Sequence, residues 1–440
     1  MAASGLKIMR KILLIGSGGR EHAIVWTIQK TSPEPVEVFC VPGNAGIAQT
    51  AQVVSIPVND HSRLAEFVES QKIDLTFVGP EAPLVSGIVD FFIERGLRIV
   101  GPGATAARLE GSKIFAKDFM ARHNIPTAAY DIAEGPEQAI ECLRRGEFGD
   151  AQNPVVIKAD GLAAGKGVIV AATRSEAETA IDDLMVHHVA GREAAQRVVI
   201  EEALTGKEAS LLAFADGRDY ALMPPARDHK RVGENDTGPN TGGMGSITDA
   251  SVLHKDLQER IVREIVEPTL AGAREEGFPV KGILFLGLML TKDGPKLLEY
   301  NVRFGDPETQ AILIRLRTDL YSVFDSIYSE TLGSLDVAWS EGSSACVVAA
   351  NKGYPGQYES GAVIEGLEQV SNDSVQLFHA GTSRDANGRF TASGGRVLGI
   401  TAGAETLSGA LDRCYEALGK ISWAGMQFRR DIGRSGMRYS

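Results

Sequence analysis

Glu299, Asn301 and Arg303 alternate along Lys296-Leu-Leu-Glu299-Tyr-Asn301-Val-Arg303-Phe-Gly305-Asp306-Pro307-Glu308. In an extended segment alternate residues share a face, so a carboxylate and an amide carbonyl project together. Both are hard oxygen ligands, the kind Mg2+ takes when nucleotide phosphates complete its shell. Arg303 falls on the same side if the strand continues, where its guanidinium suits a carboxylate or phosphate held bidentately. For Glu-x-Asn alone, a hairpin end with solvated charges is the ordinary alternative. The apolar surroundings argue against it. Ile283–Leu290 reads as a buried strand, Lys292-Asp293-Gly294 as a turn and Lys296–Tyr300 as the returning strand, which stops at the Gly305-Asp306-Pro307 turn.

Other segments must position that cluster. Pro154-Val-Val-Ile-Lys158 reads as a strand ending on a lysine, followed by the glycine-rich Ala159–Gly167 and a strand at Val168–Val170. A hairpin bearing lysines suits a lid over phosphates, and its spacing is not that of a Walker A loop. Val198–Leu204 reads as a strand leading to an acidic turn, Thr205–Glu208, then Ala209–Phe214. Such an edge can read an adenine through backbone groups and a ribose through a carboxylate. Pro224–Arg231 and Asp236–Gly245 read as a long polar loop, which inside a compact chain points to function.

The beginning of the chain has another character. Lys11–Ile15 runs into Gly16-Ser17-Gly18-Gly19-Arg20-Glu21-His22 and a helical stretch, Ala23–Lys30, the opening of a doubly wound α/β unit. Glu21 replaces the third glycine of G-x-G-x-x-G, which counts against a dinucleotide and a nicotinamide oxidoreductase. A helix N-terminus suited to phosphate is still expected. Strands at Val36–Val41, Leu75–Val78 and Arg98–Val100 each end in a Gly/Pro loop, and a helix spans Lys113–His123. The last hundred residues form their own block, with strands at Ser344–Ala350, Val375–Phe378 and Arg396–Thr401 and a helix from Thr406 to Ile421.

At 440 residues the chain has room for several cores, and 43% hydrophobic with 23% charged residues is ordinary for a globular protein. A net charge of −12 without a Lys/Arg block argues against nucleic-acid binding. Cys40, Cys142, Cys346 and Cys414 show no metal spacing and fit reduced thiols in the cytoplasm. No apolar run reaches membrane-spanning length, and the first ten residues lack a signal-peptide core. No fused second enzyme is expected after the C-terminal block.

Together these segments resemble the phosphoribosylamine–glycine ligase family, ATP-grasp enzymes of purine biosynthesis also called glycinamide ribonucleotide synthetases. Its signatures are Asp228-His-Lys-Arg231, Gly238–Gly245, Arg303-Phe-Gly-Asp-Pro-Glu-Thr-Gln310, Lys158–Gly167 and Gly353-Tyr-Pro-Gly356, and the likeness runs from Gly16 to Phe428-Arg-Arg-Asp-Ile-Gly433. The resemblance implies an N-terminal doubly wound α/β domain (1–123), an ATP-grasp lid (124–197), a central ATP-grasp domain (198–335) and a small α+β C-terminal domain (336–440). It implies a monomer acting on ATP, glycine and 5-phosphoribosylamine through a glycyl phosphate, with Mg2+ or Mn2+ on Glu299 and Asn301. Lys113, Lys158, Glu201, Glu202, Ala203, Leu204, Glu208, Lys230, Arg231 and Asn240 would bind ATP. Gly18, Gly19, Arg20, Gly43, Asn44, Ala45, Gly46, Pro80, Glu81, Gly305, Asp306 and Pro307 would bind the other substrates. Arg303, Asp228 and Lys158 would be catalytic, the first two gripping glycine. One departure stands out: after Gly245 the family usually continues Ala-Tyr-Ser-Pro-like, whereas this chain reads Ser246-Ile-Thr-Asp-Ala250. Another ATP-grasp ligase with a different amine, or a nucleotide-sensing scaffold, are the competing readings.

Overall fold

The computed structural model of the chain describes residues 9–146, 154–163, 167–191, 194, 196–370 and 374–434. Part of the lysine-bearing glycine loop, Gly165 and Lys166 included, lies outside the described residues. Five parallel strands form the N-terminal sheet, in the spatial order Gln52–Val53, Val36–Pro42, Arg10–Gly16, Leu75–Val78 and Ile99–Val100. The first strand of the chain is central, so connections leave it toward opposite edges, and a crevice opens at the carboxyl ends of the strands beside it. Ile12 to Ile15 are wholly buried, as expected of a parallel strand covered on both faces.

A small antiparallel sheet carries Tyr130–Ala133, Val198–Glu202, Val155–Ala159 and Val168–Ala171 in that spatial order. Helices Pro136–Arg145 and Arg174–Ile181 pack on it, giving a hydrophobic core separate from the rest. Its root is tied to the neighbouring domain. The Leu297 amide donates to the Pro126 carbonyl at 2.8 Å, and the Thr127 hydroxyl donates to the Leu297 carbonyl at 2.6 Å.

Besides a three-stranded sheet of Ala362–Val363, Phe390–Ala392 and Thr382–Arg384 and a two-stranded hairpin, the remainder of the scaffold among the described residues is a ten-stranded sheet, two of whose strands, Tyr220–Leu222 and Met426–Gln427, pair off its main path. It runs from Gly294–Asn301 through Lys281–Thr291, Lys207–Asp216, Ala226–Asp228, Gly245–Thr248, Ser343–Asn351 and Arg396–Ala404 to Gln376–His379. One sheet thus links the Glu299 strand to the C-terminal block. The wholly buried Ser343–Asn351 strand, beside Gly245–Thr248, is where it crosses over.

Three expectations change. Pro224–Gly245 is not one long loop: Ala226–Asp228 is a strand, and Arg231–Gly233 pairs with Thr237–Asn240 as a hairpin. These strands are three or four residues long, too short for alternation to show through their charges and glycines. The first helix begins at Gly19 rather than Ala23, because the Glu21 carboxylate accepts the Gly18 amide at 2.6 Å and closes the helix start. Lys207 and Glu208 open the Lys207–Asp216 strand instead of standing in a turn, held by pairing with Leu290 and Met289. The Ser246–Ala250 departure falls on the buried Gly245–Thr248 strand, where the Thr248 hydroxyl meets that of Ser344 at 2.6 Å.

Candidate functional site

Glu299 and Asn301 end the Gly294–Asn301 strand opposite Gly287 and Phe285, on one face. The strand stops at Asn301, yet the Arg303 guanidinium bends back and donates to Asn301 Oδ1 at 2.9 Å. Lys230 stands 4.0 Å from Glu299 and 3.1 Å from Glu208. A small cleft is lined here by Glu208, Ser210, Asp228, Lys230, Phe285 and Glu299, among others. Burial would push the Glu299 carboxyl up, but Lys230, Lys113, Lys158 and Arg303 outweigh it and hold it down at about 2. Glu299 is therefore a permanent anion. Beside an amide carbonyl with a lone pair to spare, it suits a hard cation that keeps waters or phosphates in its shell. Among the described residues no three His, Cys, Asp or Glu side chains gather into a metal cage, and a two-oxygen protein site of this kind requires none.

Toward the lid, Glu201 Oε1 lies 3.0 Å from Lys158 Nζ and 3.2 Å from Lys117 Nζ, with all three side chains nearly fully buried. Lys158 also donates to the Leu298 carbonyl at 3.0 Å and Lys117 to the Thr127 hydroxyl at 2.7 Å. Burial, joined by the charge of Lys158, outweighs the pull of Glu201 and lowers Lys117 to about 8. Glu202 points away from this pair, to Lys296 at 3.1 Å and the Ala129 amide. Ala203 and Leu204 follow, half-buried.

On the other side Arg303 meets Glu110 at 2.8 Å and Glu81 at 3.4 Å. Burial would lower the Arg303 guanidinium, but Glu110, Glu81, Glu308 and Glu299 raise it beyond titration. Burial pushes the Glu110 carboxyl up, even against Arg303. Asp228 and Glu308 are also raised, first by burial; Glu308 adds to the shift of Asp228. Gly243, at φ +110°, allows the chain to pass both: an added Cβ would meet Pro307 at 2.3 Å and Asp228 at 2.7 Å. Asp306 pairs with Arg396 at 3.1 Å and with Gln310 at 2.8 Å.

The N-terminal loops converge on this wall. Arg20, already inside the helix, is buried; it pairs with Glu21 at 2.6 Å and donates to the Phe304 carbonyl at 3.0 Å. Glu21 explains the missing third glycine: its side chain fills the space beneath Gly79, where an added Cβ would lie 2.1 Å from Glu21 Oε1. Asn44 Oδ1 accepts the Gly46 and Ile47 amides, while its amide group reaches the carbonyls of Ser17 and His379. The His379 amide donates to His22 Nδ1 at 2.8 Å. Burial lowers these two histidines to about 3 for His22 and about 4 for His379.

The structure thus brings Glu208, Asp228, Lys230 and Glu299 to one cleft; Lys158, Lys113 and Arg303 stand close enough to act on Glu299, with Glu201 paired to Lys158 and Asn301 to Arg303. Arg231 and Asn240 face each other across their hairpin, Arg231 donating to the Gly238 carbonyl, rather than lining the cleft. Sequence reasoning missed Lys117, Glu110, Glu308 and Arg396. Lys117 follows Lys113 by four residues and so shares its helix face, a signal the spacing carries; Glu308 lies inside the Lys296–Glu308 run itself.

Three family models match consecutive stretches: the phosphoribosylglycinamide synthetase N domain over residues 10–110, its ATP-grasp (A) domain over 111–309 and its C domain over 344–435. A phosphoribosylamine–glycine ligase of Vibrio parahaemolyticus is 48% identical over 426 residues, covering 96% of this chain and 97% of the relative. The crystal structure of a phosphoribosylamine–glycine ligase from Thermotoga maritima superposes with a TM-score of 0.82 at 34% identity, over 96% of this chain and 99% of that one. The biotin carboxylase domain of a Hydrogenobacter thermophilus 2-oxoglutarate carboxylase, solved with MgADP and bicarbonate, shares the fold at a TM-score of 0.71 and 16% identity, over 96% of this chain and 92% of that one.

Proposed function

Because this chain belongs to the phosphoribosylamine–glycine ligase family, its reaction is the ATP-dependent joining of glycine to 5-phosphoribosylamine in purine biosynthesis, and we propose how its residues divide that work. The observation that carries the proposal is Glu299, a cleft-lining carboxylate held low by Lys230, Lys113, Lys158 and Arg303 together.

ATP lies between the lid sheet and the Gly294–Asn301 strand. Lys158 and Lys113 hold its phosphates, Glu201 to Leu204 edge the adenine, and Glu208 holds the ribose, with Lys230 closing the nucleotide site and the hairpin of Arg231 and Asn240 bordering it. Glu299 and Asn301 would hold Mg2+, or Mn2+ in its place, which offsets phosphate charge. Arg303 and Asp228 grip glycine by its carboxylate and its ammonium. The glycine carboxylate oxygen attacks the terminal phosphorus and ADP leaves, giving glycyl phosphate. The nitrogen of 5-phosphoribosylamine then attacks the glycyl carbonyl, the C–O bond to phosphate breaks, and the amine loses one proton. The Asp228–Glu308 carboxyl pair, both raised by burial, is suited to take that proton. Gly18 to Arg20, Gly43 to Gly46, Pro80, Glu81 and Gly305 to Pro307 bound the phosphoribosyl end. Closure of the lid excludes water from the acyl phosphate.

The division into 1–123, 124–197, 198–335 and 336–440 belongs to this proposal, as does a monomer. All four cysteines are free and buried, in keeping with a cytoplasmic enzyme, and among the described residues no helix is long and apolar enough to cross a membrane. The test is phosphate release from MgATP with glycine, before and after addition of freshly made phosphoribosylamine. Release requiring both, and falling about 100-fold or more in Glu299→Ala, is expected. Equal release with other amino acids, or none with phosphoribosylamine, overturns the substrate assignment.

A further inference from the structure

The Phe428–Gly433 run contributes nothing to the cleft, yet its contacts converge on the turn that does. Arg429 is only 1% exposed. Its guanidinium grips Asp431 with two bonds of 2.8 Å, reaches Asp236 at 2.8 Å and donates to the Arg231 carbonyl at 3.0 Å. Asp431 in turn accepts the Asn235 amide at 2.8 Å. Four residues after Arg429, the Gly433 amide donates to His229 Nε2 at 3.0 Å, while His229 Nδ1 lies 3.1 Å from the Gly245 carbonyl. A carbonyl only accepts, so the ring proton is on Nδ1 and Nε2 is the acceptor. His229 is thus a neutral bridge between the C-terminal tail and the glycine-rich segment, and burial keeps it so by lowering it to about 4 against the hydrogen bond to Gly245.

Between these anchors the main chain of Asp228 to Arg231 has little freedom. The His229 carbonyl accepts the Met244 amide at 2.9 Å, and the Lys230 carbonyl accepts the Thr241 amide at 2.7 Å and its hydroxyl at 2.8 Å. The turn presents two side chains to the cleft, Asp228 and Lys230, and the Lys230 ammonium is the one that reaches Glu208 at 3.1 Å and Glu299 at 4.0 Å.

We infer that Arg429 and His229 are positioning residues: the Arg429–Gly433 tail sets the Asp228–Arg231 turn and, through it, places the Lys230 ammonium for the nucleotide. This rests on the proposed role of Lys230 as a nucleotide contact. A lysine at position 429 keeps the charge but cannot make the fork to Asp431 and also reach Asp236 and the Arg231 carbonyl.

The test is a double-mutant cycle on ADP affinity, titrating the full chain with MgADP and following melting in parallel. Arg429→Lys is expected to weaken ADP about tenfold, the size of one charged hydrogen bond, and Lys230→Met at least as much. The Arg429→Lys/Lys230→Met double variant should bind no more weakly than Lys230→Met, because both losses run through one ammonium. In a Lys158→Met background the Arg429→Lys loss should persist in full. Should Arg429→Lys fail to fold, Asp431→Asn, which leaves Asp236 in place, enters the same cycle. Additive losses with Lys230→Met, or a lowered melting temperature with ADP affinity unchanged, overturn the inference. ADP affinity indifferent to Lys230→Met itself overturns the assignment of Lys230, and the inference with it.

Discussion

Two clusters near Glu299, one buried and one half-buried, are made of similar parts and wired with opposite surplus. On the lid side one carboxylate, Glu201, serves two ammonium groups, Lys158 at 3.0 Å and Lys117 at 3.2 Å. On the N-terminal side one guanidinium, Arg303, serves two carboxylates, Glu110 at 2.8 Å and Glu81 at 3.4 Å. Counted as formal charges, the first leaves a positive charge over and the second a negative one, the latter weakened because burial pushes the Glu110 carboxyl up. In surroundings poor in water such a residue of charge acts strongly on what enters. In the proposed division of work, the first end draws the polyphosphate and the second accommodates the substrate that carries an ammonium group.

Arg303→Lys should break the contrast most severely. A lysine cannot reach Glu110, Glu81 and the Asn301 carbonyl together, so kcat is expected to fall roughly 1,000-fold, read in steady-state ADP formation. Lys158→Met removes the surplus from the other end; a loss of about 100-fold in kcat/KM for ATP is expected. Glycine KM should stay within about twofold, inside the error of independent sites.

Lys117→Met should be milder, near tenfold in ATP affinity, and it carries a pH signature. Burial holds Lys117 at about 8 instead of its usual 10.5. Wild-type ATP binding should therefore weaken as pH rises through about 8, when the cluster loses its extra charge, and the variant should show no such limb. Its proton also costs stability: an unfolded chain binds it more tightly, so wild-type stability should rise between about 8 and 10.5.

The smallest effect lies away from both clusters. His22, His229 and His379 are held at about 3, 4 and 4, well below the usual 6.5. Lowered folded values mean that their contribution is complete above about 6.5 and is lost as pH falls toward 4. His22→Gln should flatten part of that acid limb in thermal melts and leave kcat at neutral pH nearly unchanged.

The Glu299 side of the contrast is legible in the amino-acid sequence itself. Alternation from Glu299 to Asn301 on an edge strand beside one apolar strand places two oxygens on one face, although a bulge at Leu298 breaks the alternation just before Glu299, and Leu75–Val78 appears as expected. Lys117 is not legible in the same way, because a lysine on a helix ordinarily faces water; only the arrival of Glu201 from a distant strand explains its burial. Glu21 is hidden for a similar reason, its carboxylate being required beneath Gly79 by the chain's return at the next strand. The short strands around Asp228 exist because Ser210 and Ser246 lie on neighbouring strands to pair with, a long-range cause that local composition cannot carry.

The proposal that the two clusters serve different substrates through opposite charge is tested most directly by measuring binding of MgATP and of glycine separately in Lys158→Met and in Arg303→Lys. Lys158→Met is predicted to weaken ATP and spare glycine, while Arg303→Lys weakens glycine and largely spares ATP. Equal loss of both ligands in each variant would contradict it, making the two clusters a single undivided scaffold.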